Sequence, residues 1–92
     1  MPFTHDERVL YGMAIERIRS GELPDDAPKQ VWSGKGAGDP CALCGKRIGR
    51  RELEYELLDG ANRVFLFHLR CHAIWQLALS AQPSCLDLSQ AD

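Results

Sequence analysis

The stretch CALCGKRIGRRELEYELLDGANRVFLFHLRCH, from Cys41 to His72, decides the fold of this chain. It opens on a Cys-x-x-Cys pair, continues through a middle rich in strand-forming residues and closes on a His-x-x-Cys pair followed by His72. The two pairs, Cys41 with Cys44 and His68 with Cys71, supply three sulfurs and one imidazole. Because this donor set is typical of structural zinc sites, we predict one Zn²⁺ held by these four residues.

A metal site suits the size of the chain. Its 92 residues predict a single domain, 1–92, and a core this small is commonly supplemented by a metal. Two disulfides are the alternative use of the four cysteines, but they favour a secreted protein. The paired motifs also leave Cys85 without a companion, so we interpret it as a free thiol or a small apolar residue.

The sequence predicts a cytoplasmic protein with no membrane contact. Its beginning, MPFTHDERVL, is neither basic nor followed by the apolar core of a signal peptide. No apolar run approaches the roughly 20 residues needed to span a bilayer.

Residues 4–20 are predicted to form an amphipathic helix. Thr4 followed by Glu7 is typical of a capping box, and Gly21 with Pro24 predicts where the helix ends. The apolar residues on one face recur at helical spacing, namely Val9, Leu10, Met13, Ala14 and Ile18. We expect this face to pack on the zinc module, with a partner-binding or dimer face as the alternative.

Residues 21–40 are predicted to be an irregular connection, because they contain three of the five prolines and four of the eight glycines. The zinc-binding module follows over 41–82. A knuckle at Cys41 and Cys44 leads to a hairpin, whose first strand is expected to bury Leu53, Tyr55 and Leu57 and to expose Glu52, Glu54 and Glu56.

A second helix is predicted to begin at His68, which places His68 and Cys71 three residues apart in its first turn, and to end before Pro83. His72 is expected to point away from the metal, to lie beside the ligands or in solvent. Residues 83–92 are predicted to be a polar tail.

The order of knuckle, hairpin and ligand-bearing helix resembles the treble-clef zinc finger, as in small uncharacterised bacterial zinc-finger proteins. The pattern Cys-x2-Cys-x23-His-x2-Cys also looks like the first half of a LIM domain. A LIM domain continues with a second Cys-x-x-Cys pair, whereas this chain continues with HAIWQLALSA. The resemblance therefore implies an α+β fold, a single-zinc treble clef with an added N-terminal helix.

Four protein ligands occupy all the coordination positions of a tetrahedral zinc ion, so we expect no enzyme activity and no small-molecule substrate. The leading interpretation is a structural zinc-binding module for protein–protein interaction, self-association or regulation.

Two other functions stay open. Residues 29–51 carry six Lys or Arg against Asp39, within a chain of net charge −2. This basic loop around 46–51 is the basis for nucleic-acid or anion binding, with the candidate contacts Lys35, Lys46, Arg47, Arg50 and Arg51. The last alternative is a redox or zinc sensor, in which oxidised cysteines release the metal.

Overall fold

The computed structural model describes residues 4–81 and has a small α+β architecture. Its elements in chain order are α1 (His5–Ser20), β1 (Gln30–Lys35), β2 (Leu53–Leu58), β3 (Val64–His68) and α2 (Leu69–Ser80). The three strands form one antiparallel sheet in the order β1-β2-β3. The predicted tail 83–92, with Cys85 and Pro83, lies outside the described residues.

Helix α1 has the ends that the sequence predicts. The Glu7 backbone N–H donates to the Thr4 hydroxyl at 3.2 Å, and the Thr4 N–H donates to the Glu7 carboxylate at 3.0 Å. Gly21 ends the helix in the left-handed region at φ 87°. The face that carries Leu10, Ala14 and Ile18 is buried, and it packs against α2.

The connection 21–40 is not irregular throughout, because it contains strand β1. Its six residues are all exposed, so they lack the alternation of buried and exposed positions by which a strand is recognised in a sequence. The strand exists because β2 offers it a backbone edge, with Val31 opposite Leu57 and Ser33 opposite Tyr55. The same connection is anchored by Trp75, whose indole N–H donates to the Pro24 carbonyl at 3.1 Å.

Strands β2 and β3 form the predicted hairpin, closed by a turn at Asp59. The Asp59 carboxylate accepts hydrogen bonds from the Ala61 and Arg63 backbones and from the Arg63 side chain. Leu57 is fully buried as expected, but Leu53 is 48% exposed. Leu53 lies at the end of the sheet, opposite Lys35 of the exposed edge strand.

One core joins the sheet to the two helices. Its largest fully buried side chains are Trp75, Phe67, Leu23, Leu43, Ile48 and Leu57, together with Cys71. The Trp75 ring stacks on Phe67 with ring centres 5.7 Å apart. Across residues 4–81, neither helix has the length and apolar character required to cross a membrane.

Gly36 and Gly12 make a matched test of this packing. A Cβ at the buried Gly36 would lie 2.6 Å from the Ile48 carbonyl oxygen and 2.7 Å from the Ile48 methyl group. Gly36→Ala should therefore lower the free energy of unfolding by about 1–3 kcal/mol. Gly12, exposed within α1, has no atom within 4 Å of its Cβ position, so Gly12→Ala should raise the free energy of unfolding by about 0.8–1 kcal/mol. Denaturant titration measures both, and equal effects would contradict the close approach at Gly36.

Candidate metal centre

The first pair of candidate ligands lies in a tight knuckle. The Gly45 N–H donates to the Cys41 carbonyl at 3.0 Å, and the Cys41 N–H donates to the Lys46 carbonyl at 2.8 Å. Gly45 has φ 79°, a left-handed conformation that glycine adopts without a steric penalty. The Leu43 N–H points at the Cys41 sulfur, 3.4 Å away. The chain thus turns back within four residues and presents both sulfurs on one side.

The knuckle is attached to the edge of the sheet. The Ala42 N–H donates to the Leu66 carbonyl of β3 at 2.7 Å, which brings the knuckle beside the end of that strand. Pro40 and Arg47 form an isolated antiparallel bridge at the base of the knuckle. These contacts carry Cys41 and Cys44 to the place where β3 becomes α2.

The second pair lies at that junction. His68 is the last residue of β3 and the N-cap of α2, rather than a residue of its first turn, while Cys71 lies within the helix. The His68 Nδ1 atom is 3.4 Å from the Cys44 sulfur and 4.0 Å from the Cys71 sulfur. On the other side of the ring, Nε2 is 3.2 Å from the Arg47 carbonyl oxygen.

The Arg47 carbonyl assigns the tautomer of the neutral His68 ring. A carbonyl oxygen only accepts, so Nε2 carries the proton and donates it, and Nδ1 keeps its lone pair directed at the sulfurs. Metal-binding histidines are commonly oriented by such a contact to a backbone carbonyl. The Glu52 carboxylate, 3.5 Å from Nε2, lies on the same side of the ring.

The structure brings all four predicted ligands together. The sulfurs of Cys41, Cys44 and Cys71 and the ring nitrogen of His68 lie within 4.8 Å of one another. A tetrahedral ion with bonds of about 2.0–2.3 Å holds its ligand atoms about 3.5–3.8 Å apart. The distances from His68 Nδ1 to the Cys44 and Cys71 sulfurs, 3.4 and 4.0 Å, are close to this spacing. Cys41 and Cys71 are buried, and Cys44 and His68 are half-buried. All three cysteines are free, so no disulfide is formed among residues 4–81.

The electrostatics of the sulfurs favour a bound cation. A hydrogen bond from the Cys71 thiol lowers the pKa of Cys41 to about 4. The same hydrogen bond raises the pKa of Cys71, and burial and the negative charges of Cys41 and Cys44 raise it further. The cluster therefore stabilises one thiolate and disfavours the deprotonation of Cys71. A divalent cation would stabilise all three thiolates.

His72 lies outside the cluster, as predicted, but it is buried rather than exposed or beside the ligands. Its ring stacks on Tyr55 with centres 4.5 Å apart and contacts Phe67 and Trp75. Burial lowers its pKa, which favours the neutral ring. Its Nε2 atom has no hydrogen-bond partner in the described part of the chain. His72 is thus a core residue, and no sequence pattern predicted its contacts with these aromatic neighbours.

Arg17 is a supporting residue that sequence reasoning missed. Its guanidinium Nη1 donates to the Ala42 carbonyl at 3.0 Å and to the Leu43 carbonyl at 2.7 Å. One side chain of α1 thus holds the two residues between Cys41 and Cys44. An arginine in the last turn of a helix normally indicates only an interaction with the helix dipole, so no pattern in the sequence separated Arg17 from Arg19.

The basic residues proposed as nucleic-acid contacts remain at the surface. Lys35, Lys46, Arg47, Arg50 and Arg51 are all exposed. The Arg47 side chain donates to the Gly38 carbonyl at 2.7 Å. Within residues 4–81, none of the five forms a salt bridge.

No family model, curated protein or solved structure matches this chain. The interpretation of the centre therefore depends on its own geometry.

Arg17→Met tests the link between α1 and the knuckle. Methionine keeps much of the apolar stem and removes both hydrogen bonds, so the free energy of unfolding should fall by about 1–3 kcal/mol. The affinity for Zn²⁺ should fall by about 10-fold, because the knuckle loses a support outside the ligand set. Competition with a zinc-binding dye measures the affinity. Arg19→Met, on the same turn, is the control and should change stability by less than about 0.5 kcal/mol. Equal effects of the two substitutions would contradict a special role for Arg17.

Proposed function

We propose that this protein is a structural zinc module that binds another protein chain. The observation that carries the proposal is the convergence of Cys41, Cys44, His68 and Cys71 within 4.8 Å. These four ligands come from two sites far apart in the sequence, so a metal bound to them ties the two halves of the module together.

The donor set favours zinc and a structural role. Thiolate and imidazole ligands at tetrahedral spacing select Zn²⁺ over Mg²⁺ or Ca²⁺, which prefer oxygen. Four protein ligands leave no position for the water that a catalytic zinc activates, which is why we propose no enzyme activity. Three thiolates around Zn²⁺ carry a formal charge of −1, and the exposed Lys46 and Arg47 lie beside the knuckle to offset it.

The order of the elements supports a treble-clef assignment. A knuckle is followed by the β2–β3 hairpin and then by α2, with the ligand pairs in the knuckle and at the start of the helix. Two additions set this chain apart, namely α1, which packs on α2, and β1, which extends the hairpin to a three-stranded sheet.

The exposed apolar side chains support a protein partner. Two of them, Val31 and Trp32, lie on β1. Trp32 shares a row of the outer sheet face with Glu56 and Leu66, and Val64 lies on the same face, opposite Leu58. Large exposed aromatic residues are enriched where proteins bind each other. The metal holds the outer sheet face with Trp32, Val64 and Leu66 in place, although none of these residues is a ligand.

Loss of the metal should unfold the module. Zinc binding in finger peptides is worth about 10–16 kcal/mol, compared with the roughly 5–15 kcal/mol by which whole domains are stable. The purified protein should contain one Zn²⁺ per chain by elemental analysis, and a chelator should abolish its native circular dichroism. A native-like thermal melt after removal of the metal would contradict the structural role.

Cysteine substitutions test the ligand set. Cys71→Ser should weaken zinc binding by more than about 100-fold, since even the loss of a group outside the ligand set costs 10–100-fold. Cys85→Ser is the matched control and should keep one Zn²⁺ per chain. Loss of zinc from the control, or its retention by Cys71→Ser, would refute the assignment.

Nucleic-acid binding is the second candidate, favoured by five exposed cations without salt bridges in the described part of the chain. Substitution of Arg50 and Arg51 by Glu should then abolish retention on DNA or RNA at low salt and leave the zinc content unchanged. No retention of the unaltered protein would exclude this candidate.

Redox sensing is the third candidate, and it depends on the accessibility of Cys44. Cys44 borders an open groove lined also by Lys46, His68 and Arg70. Its sulfur is thus the one that an oxidant in this groove would reach, although metal-bound structural thiolates are commonly inert. Zinc release by mild peroxide would support this role.

A further inference from the structure

The two edges of the sheet differ in how they are covered. At the β3 edge, the knuckle donates a hydrogen bond to Leu66. At the β1 edge all six residues are exposed, with Val31 at 44% and Trp32 at 48%. Among residues 4–81, no element other than β2 pairs with β1.

The register shows which backbone groups of β1 point outward. The Gly36 N–H donates to the Glu52 carbonyl at 3.0 Å, which makes 36 and 52 a hydrogen-bonded pair. Because such pairs alternate along an antiparallel ladder, Gly34 bonds to Glu54 and Trp32 to Glu56. The N–H and C=O groups of the intervening residues, Val31, Ser33 and Lys35, are directed away from β2. Unpaired groups in such a row are a template for a further strand.

We propose that two copies of this chain pair through β1 as antiparallel strands, with the two-fold axis at Ser33. Ser33 then lies opposite Ser33 of the second copy, and Val31 lies opposite Lys35. Each of these outward-pointing residues exchanges two hydrogen bonds with its opposite, so the interface gains about six. The two three-stranded sheets join into one sheet of six strands. A contact about a two-fold axis uses the same surface twice, as most homodimers do.

Side-chain shape supports this register. Residues 32 and 34 lie on the same face of the strand, and in this pairing Trp32 lies opposite Gly34 of the second copy. A Cβ at Gly34 would have nothing within 4 Å, so there is open space above this residue for an indole ring. Because of the two-fold axis, the contact between Trp32 and Gly34 occurs twice in the dimer. Each exposed Trp32 is thereby covered, which buries apolar surface that the single chain leaves in water.

The charges of the strand are compatible with the pairing. Lys35 is the only ionisable residue of β1, and it lies opposite Val31, whose surface its methylene stem can cover. The two Lys35 residues lie at opposite ends of the interface, about 13 Å apart at 3.3 Å per residue, so their repulsion is largely screened. Glu54 and Glu56 lie one strand further away on each copy.

This inference rests on the proposed interaction role and names its surface and its partner, a second copy of the chain. The experiment uses the full chain with zinc bound. Sedimentation equilibrium should give twice the chain mass, and dilution should shift the tryptophan emission to the red, as Trp32 becomes exposed while Trp75 stays buried.

Two test substitutions and one control distinguish an effect on the β1 interface from an effect on the fold. Ser33→Pro removes an N–H that points away from β2, a position at which an edge strand tolerates proline. It should raise the dimer dissociation constant by about tenfold or more, because a hydrogen bond is lost from each copy. Ser33→Thr keeps the N–H and should leave the dimer intact. Gly34→Lys should also give monomers, because it fills the space that Trp32 needs and leaves the single chain unstrained.

Zinc content and circular dichroism are measured on every variant. A monomeric protein with one Zn²⁺ per chain would overturn the dimer and leave the zinc module standing. A dimer unaffected by Ser33→Pro and Gly34→Lys would overturn the β1 interface. A monomer that binds a different protein through β1 would likewise overturn pairing with a second copy. Absence of zinc from a well-folded dimer would refute the proposed module instead.

Discussion

Three sulfurs and a ring nitrogen meet within 4.8 Å, and the rest of the structure depends on that convergence. The sulfurs belong to Cys41, Cys44 and Cys71, and the nitrogen belongs to His68. The hydrogen bond between the Cys71 and Cys41 side chains raises the pKa of Cys71 and lowers that of Cys41, and burial and repulsion by the negative charges of Cys41 and Cys44 raise the pKa of Cys71 further. A divalent cation turns this repulsion into attraction. The knuckle and the start of α2 are therefore stable neighbours when a cation lies between them.

Contacts from β3, from Arg47 at the base of the knuckle and from α1 support the convergence. The Leu66 carbonyl of β3 binds the knuckle, the Arg47 carbonyl orients the His68 ring, and Arg17 of α1 donates to Ala42 and Leu43. Helix α1 is thus more than a cover for the core, because it reaches the residues between two ligands. Trp75 of α2 performs a similar role on the other side, where it holds the connection at Pro24. Helices α1 and α2, which pack on each other, thus connect the ligand cluster to the hydrophobic core.

The sheet is protected on one side and exposed on the other. The knuckle covers β3, and the whole width of β2 separates it from β1, whose residues are all exposed. Under the proposed structural role of the metal, function lies on the surfaces that the metal positions. Strand β1 is such a surface, since it has a row of outward backbone groups, a half-exposed indole and a glycine with open space on the same face.

The sequence by itself predicted the features that depend on nearby residues. The capping box of Thr4 and Glu7, the stop at Gly21, the tight turn between Cys41 and Cys44 and the β2–β3 hairpin all arise from contacts within a few positions. Ligand chemistry also predicted that Cys41 and Cys44 lie close to His68 and Cys71, because three sulfurs and an imidazole at paired spacing are typical of a zinc site.

Only the tertiary structure decided the features that depend on distant residues. Strand β1 forms because β2 presents a free backbone edge, and its own side chains carry no burial pattern. His72 is buried because Tyr55, Phe67 and Trp75 surround it. Arg17 differs from Arg19 because the knuckle carbonyls come within reach of one and not of the other. Backbone pairing and long-range hydrogen bonds depend on which segments the fold brings together, and that information is spread over the whole chain.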